Sequence, residues 1–340
     1  MEKPEMTPKE RVFAAINNMD FDVYPAINPT SVATVEAMKL SGAFFPEAHT
    51  DVRKMEALAS VGHDIFGFDS VSPYFSILLE ASALGAEVDW GNIYEMPSVI
   101  KKPINNISDY EIPKNYMSRK EFSAMIEVCS RLKNKYKDEV PVIGKVIGPW
   151  SLAYHLYGVE NLVLDTILEP EKTKAFITML SEIPISFAKE QFNAGADIIV
   201  WADHVTSDLV SAEIYREFIM PIHKKAAVEL QKYGPVILHT CGNVADRLPY
   251  IASTGFKIFH MDSKNNIAEA VKTVGNRMLI TGCINNPVLL AQGEPQDVKR
   301  AVEENIKSGI KLISPECAIP FSVSSDNLIA LVEAAHNTKP

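Results

Sequence analysis

Cysteine is scarce in this 340-residue sequence, with four residues at positions 129, 241, 283 and 317. They are too few and too scattered for the disulfide framework of a small secreted domain. In a reducing compartment, cysteines near a histidine point instead to metal binding or catalysis. Basic residues are also in deficit: 33 Lys and Arg against 43 Asp and Glu leave a net charge of −10. A broad nucleic-acid-binding surface needs clustered Lys and Arg, so the charge argues against that class, while a local pocket for a small anion stays open. No apolar run approaches the ~18 residues of a membrane-spanning helix. The opening MEKPEMTPKERVF also lacks the apolar stretch of a signal peptide. A cytoplasmic protein with neither a membrane nor a nucleic-acid partner is the expectation. Gly-rich phosphate fingerprints are missing after every strand-like run, since Gly148-Pro149 and Gly242-Asn243 are isolated turn signals. That weakens a doubly wound, nucleotide-binding sheet as the architecture. Linkers, low-complexity segments and internal repeats are missing too, so a single domain over 1–340 is expected.

The chain does have the composition of a folded globular protein, 47% apolar and 22% charged. Its apolar residues gather in short runs: VYPAINP (23–29), DIFGFDSV (64–71), PVIGKVIGP (141–149), ADIIVWADH (196–204), PVILHTC (235–241), KIFHMD (257–262), RMLITGCI (277–284) and IKLISPEC (310–317). Continuous Val/Ile/Leu runs of this length suit strands covered on both faces. Helical patterns lie between most of them. Thr7-Pro8-Lys9-Glu10 reads as a capping box with Pro at the first helical position. The segment from Asn243, VADRLPYIASTG, and the set Val298, Ala301, Val302 and Ile306 before Gly309 both have helical spacing. Strand and helix alternate most regularly after about residue 180, the pattern of a parallel barrel or a doubly wound sheet; with no phosphate fingerprint to favour the latter, a (β/α)8 barrel is the expectation. The Pro- and Asn-rich stretch around 72–120 reads as an insertion with extra short strands, a lid over the barrel mouth.

Chemistry concentrates at the strand ends. In PVILHTCG, His239 and Cys241 are two residues apart on a strand and project the same way. Cys317 closes the last run, so all three fall on the C-terminal rim, where barrel enzymes place their active sites. One imidazole and two thiolates suit Zn²⁺ and leave a fourth position open, as in a catalytic site. The alternative is a buried histidine and two buried cysteines that only pack. Asp203 and Asp262 also end strands, where a carboxylate needs a cation, a metal or donors. Asp262 is either a displaceable fourth ligand or the N-cap of the next helix. His204, Glu80, His49 and Trp201 are further lining candidates for which packing is the commoner role. Cys129 falls on the apolar face of a predicted helix, and Cys283 reads as lining or packing.

These motifs resemble the uroporphyrinogen decarboxylase superfamily, and within it the methylcobamide:coenzyme M methyltransferases. The resemblance runs through PKERVFAAINNMDFDVYPAINP, FPEAHTD, PVIGKVIGPWSLA, AGADIIVWADHVTSDLVSAEIYREFIMP, HTCG, LITGCINNP and SPECAIPFSVSSDNLIALVEA. It implies a zinc site at His239, Cys241 and Cys317, with Asp262 where these enzymes carry a displaceable Glu one methylene longer. It implies methyl transfer from a methylated corrinoid to a small thiol, coenzyme M. No Asp-x-His-x-x-Gly corrinoid motif is present, so the corrinoid is expected on a separate protein or free. The acceptor's sulfonate needs donors, and Lys145 and Lys264 are the cations at the strand ends; Asp203 and His204 complete the expected substrate site. Tetrahydrofolate or another acceptor remains an alternative, as does a non-catalytic corrinoid- or tetrapyrrole-binding protein. Uroporphyrinogen decarboxylation fits poorly: the Arg-rich RQAGRY stretch that holds substrate carboxylates is replaced here by PAINPTSVATVEAM.

Overall fold

The computed structural model describes residues 5–340. Its strands are β1 (Glu87–Asp89), β2 (Ser98–Lys101), β3 (Ile143–Ile147), β4 (Ile198–Ala202), β5 (Val236–Thr240), β6 (Ile258–Met261), β7 (Leu279–Ile284) and β8 (Leu312–Pro315). From β3 to β8 they pair in chain order, all parallel, in one sheet. Every residue of β3, β4, β5, β6 and β8 is buried, as strands covered on both faces require. One cluster of buried apolar side chains runs from Val12 to Ala335. Among the described residues, no helix is long and apolar enough to cross a membrane.

The first two apolar runs close the ring without becoming regular strands. Ala26 bridges Ile313 of β8, and Val71 bridges Val142 beside β3. Between them, Asp69 N–H donates to the Ala26 carbonyl at 2.7 Å. Eight segments therefore complete the expected barrel, two of them through single bridges. Pro25 has no N–H to give a ladder, and side chains take the place of other ladder bonds. Asp69 Oδ2 accepts from Ala26 N at 2.8 Å, and Ser70 Oγ accepts from Asn28 N at 3.1 Å.

The helices follow their local signals in most places. Thr7 and Glu10 form the expected reciprocal capping box on the helix Pro8–Ile16. Cys129 is buried on the helix Lys120–Tyr136, and Val298 and Val302 are buried on Pro295–Lys307. The helix expected from Asn243 shrinks to Leu248–Ile251. Side chains hold the N–H groups that a longer helix would use: Asn265 Oδ1 accepts from Val244 N, and Asn243 Oδ1 accepts from Ala245 N. Arg247 is buried and donates to the carbonyls of Val205 and Val210. The insertion carries the antiparallel pair β1–β2 and the short helix Leu79–Ala83. Trp90, just past β1, lies 5.5 Å from His49, which stacks on Phe45 at 4.0 Å.

Buried carboxylates lock the loops around the barrel mouth. Asp203 accepts from Ser151 N at 2.8 Å and Asp262 accepts from Gly242 N at 2.8 Å. Glu316 accepts from Ser263 N and Asn286 N at 2.9 and 2.8 Å. Each bond ties the end of one strand to the turn after another, and charge-assisted bonds of this kind are the stronger class.

Candidate metal centre

His239 is the fourth residue of β5 and pairs with His260 of β6. Its Nδ1 lies 3.2 Å from the His260 carbonyl. Only an N–H can satisfy that carbonyl, so the tautomer leaves the Nε2 lone pair free. Nε2 faces Cys241 Sγ at 3.2 Å and Cys317 Sγ at 3.6 Å. Cys241 shares the inward face of the strand because it is two residues on. Cys317 follows β8, and its carbonyl is held by Thr30 Oγ1 and Asn286 Nδ2, both at 2.9 Å. The three ligating atoms lie within 4.8 Å of one another.

Two thiols this close cannot both ionise without a cation. The hydrogen bond from Cys241, with help from His239, holds Cys317 well below the usual thiol range. The same bond to Cys317, together with burial, pushes Cys241 up. A divalent cation would relieve that conflict. One borderline imidazole and two soft sulfurs with an open fourth position are the donor set of a catalytic zinc site.

Gly242 makes the geometry at Cys241 possible. Its φ is +89°, and a Cβ there would lie 2.5 Å from Thr206 Oγ1. Asp262 is placed differently from the sequence expectation and lies outside the ligand group. Its Oδ2 accepts from Gly242 N and its Oδ1 from Lys264 N at 2.9 Å, so both oxygens are committed to backbone. It does not cap the next helix either, since that cap is Asn266. The carboxylate fixes the turn after Cys241.

Residues 7–338 match the family described as uroporphyrinogen decarboxylase (URO-D). The chain belongs to the uroporphyrinogen decarboxylase family. It is 35% identical to the methylcobamide:CoM methyltransferase MtbA of Methanosarcina acetivorans, over 98% of this chain and 99% of the relative. It is 32% identical to a methylated-thiol–coenzyme M methyltransferase of Methanosarcina mazei, over 98% and 90% of the two chains. A solved methyltransferase from Methanosarcina mazei superposes with a TM-score of 0.93 at 28% identity, covering 97% of this chain and 98% of that one. The protein is thus a methyltransferase of the uroporphyrinogen decarboxylase family.

In this family member His239, Cys241 and Cys317 open onto a cavity of about 240 Å³ in the barrel mouth, also lined by Tyr74, Ile77, Met96, Lys145, Asp203 and His204. Lys145, His204 and Asp203 are therefore brought to the site, whereas Lys264 is exposed and does not line the cavity. Asp203 is anchored rather than free, since its Oδ2 lies 3.2 Å from His223 Nε2 in full burial. His204 is pulled down by burial and by its neighbour His239. Cys283 stays outside the ligand group, and burial pushes its thiol up to about 12. Glu80, His49 and Trp201 sit behind the wall rather than on it. Sequence reasoning missed Tyr74 and His155, which line the cavity. Neither belongs to a spacing pattern; both reach the site through the path of the insertion and of the helix Pro149–Leu156.

Proposed function

We propose that the protein is a zinc-dependent methyltransferase that carries a methyl group from a methylated corrinoid to a thiol, with coenzyme M as the acceptor. The observation that carries this reading is the convergence of His239, Cys241 and Cys317 inside a small cavity. The names of the relatives, methylcobamide:CoM methyltransferases, supply the donor and acceptor classes. Zinc on these three residues would supply one thing, a lowered pKa for an incoming thiol. Such a thiolate would take the methyl group of the corrinoid substrate, with the new C–S bond replacing the Co–C bond and the electron pair of the broken bond staying on the cobalt.

The chain's own residues define the rest. His260 orients His239 through its carbonyl, and Gly242 with Asp262 fixes Cys241. Phe75, Ile77 and Met96 give the cavity an apolar wall that keeps water from the nucleophile. About 240 Å³ lies below the roughly 300–1,000 Å³ of common small-molecule sites. It suits a short thiol and is too small to enclose a corrin ring as well. On this reading the corrinoid, carried on a separate protein or free, docks against the rim, with the 72–120 insertion as the lid beside it. Decarboxylation of a porphyrinogen is a poor fit, because Lys145 is the only Lys or Arg among the cavity's described lining residues. Coproporphyrinogen is not expected to form.

Zinc-edge X-ray absorption, with and without thiols, tests the reading. Coenzyme M is expected to add a sulfur scatterer at about 2.3 Å, and tetrahydrofolate is not. An unchanged zinc shell together with methyl transfer from methylcobalamin to tetrahydrofolate would overturn it.

A further inference from the structure

At the end of the barrel opposite His239 and Cys317, a hollow of about 430 Å³ opens at the N-terminal ends of β6, β7 and β8. Lys257 directly precedes β6, Arg277 stands just before β7, and Lys311 directly precedes β8; all three line the hollow. No Asp or Glu is among its described lining residues, although the chain carries a net charge of −10. The barrel-mouth cavity, by contrast, includes Asp203, and the hollow beside the helix Pro8–Ile16 includes Glu5, Glu10, Asp20 and Asp22.

Neutral groups set the positions of the three cations. Arg277 donates from Nε to the Val274 carbonyl at 3.2 Å and from Nη2 to the Thr273 carbonyl at 2.6 Å. Those bonds close the end of the helix Ile267–Val274 and leave Nη1 without a partner among the described residues. Lys311 Nζ donates to Asn18 Oδ1 at 3.1 Å. The backbone of Lys257 is fixed on both sides, its N–H by Gln231 Oε1 at 3.2 Å and its carbonyl by Leu279 N–H at 2.7 Å. Among the described residues no carboxylate pairs with any of the three. Elsewhere on the surface Lys189, Lys225 and Lys299 pair with Glu229, Glu182 and Glu333. Carbonyls and amides orient a cation without cancelling its charge, and a cleft lined by one sign of charge concentrates counter-ions.

A volume of about 430 Å³ falls within the roughly 300–1,000 Å³ of common small-molecule sites. Ile16, Val271 and Met278 give the hollow an apolar side. We propose that it binds a phosphate monoester, with the dianionic phosphoryl group on Lys257, Arg277 and Lys311 and the organic part against those apolar side chains. Charge-assisted bonds from Arg and Lys to phosphate are the stronger class. The site lies at the strand ends remote from the metal centre, so it stands or falls independently of the transfer reading.

The test uses the full-length protein as purified, with Lys257→Gln, Lys311→Gln and the double variant. Lys299→Gln controls for general surface charge. Calorimetry at fixed ionic strength measures binding of phenyl phosphate, with phenol as its uncharged counterpart. Phenyl phosphate is expected to bind and phenol is not. Each single variant at the hollow is expected to weaken binding by on the order of tenfold, and the double variant by on the order of a hundredfold. Lys299→Gln is expected to bind as the native protein does. Both lysines of the hollow are exposed, so the variants should fold, and phenyl phosphate should raise the Tm of the native protein but not of the double variant. Neither heat nor a Tm rise at millimolar phenyl phosphate would overturn the proposal. So would binding unchanged in the double variant, which would place the anion in the barrel mouth, or equal weakening in Lys299→Gln. Cosedimentation with phosphatidic acid vesicles separates two sources of the same phosphoryl chemistry: lysine-dependent binding to vesicles assigns a lipid headgroup, and its absence a soluble ester.

Discussion

Asp262 and the paired cysteines Cys241 and Cys317 separate the two uses that a polar residue at a barrel rim can have. Cys241 and Cys317 converge on a site a cation can fill, whereas Asp262 spends both oxygens on N–H groups of adjoining turns. Cys241→Ser and Cys317→Ser are each expected to strip zinc, while Cys129→Ser, buried on its helix, retains it. Asp262→Asn can accept only one of the two N–H groups, so it should lose about 1–3 kcal/mol of stability yet purify with metal. Metal analysis beside chemical unfolding distinguishes these outcomes, and a metal-free Asp262→Asn of native stability would return Asp262 to the ligand set. The convergence of His239, Cys241 and Cys317 was legible in the sequence because strand alternation and rim position are local facts. The role of Asp262 was not, because a carboxylate at a strand end looks the same whether its partner is a metal or the backbone of the next turn.

At the scale of elements, the turn after β5 and the hairpin β1–β2 carry the most consequence. Gly242 has φ +89° and abuts Thr206, so Gly242→Ala combines backbone strain with a clash. A loss of about 1–3 kcal/mol follows, together with weaker zinc retention as Cys241 is displaced. Native zinc affinity in that variant would show that the turn does not set the ligand position. On the hairpin, Tyr94 and Met96 are 71% and 55% exposed, and Met96 also lines the cavity. With docking at this rim, Tyr94→Ala and Met96→Ala should raise KM for a corrinoid protein more than for free methylcobalamin. Equal effects on both donors would place the docking surface elsewhere. The buried parallel strands were plain from their apolar runs. The first two ring positions were harder to read, because Asp69, Ser70 and Pro25 replace ladder bonds with side-chain contacts that periodicity does not record. The helix after Asn243 is shorter than its apolar spacing suggests for the same reason, as the N–H groups of Val244 and Ala245 are held by the side chains of Asn265 and Asn243.

For the whole molecule, pH couples to stability through groups buried far from the surface charge. Burial holds His49 down at about 4, against an ordinary value near 6.5, and pushes Glu80 up to about 7. The two act in opposite directions. Below pH 6.5 the unfolded chain protonates His49 while the folded chain does not. The stability this histidine contributes above 6.5 is therefore lost as pH falls toward 4. Glu80 keeps its proton in the fold up to about 7, so its contribution is present at low pH and lost as pH rises from about 4.5 to 7. Each group alters the slope by up to one proton, or about 1.4 kcal/mol per pH unit. His49 stacks on Phe45 at 4.0 Å, so His49→Phe preserves an aromatic partner there while removing the titration. Chemical unfolding from pH 5 to 7.5 should show a shallower acid loss in His49→Phe than in the native protein, the two converging toward a constant offset above pH 7. Glu80→Gln should change the slope in the other sense, gaining on the native protein as pH rises toward 7. Parallel stability curves for native protein and His49→Phe would mean that His49 titrates alike in both states, and that its burial does not govern the acid limb.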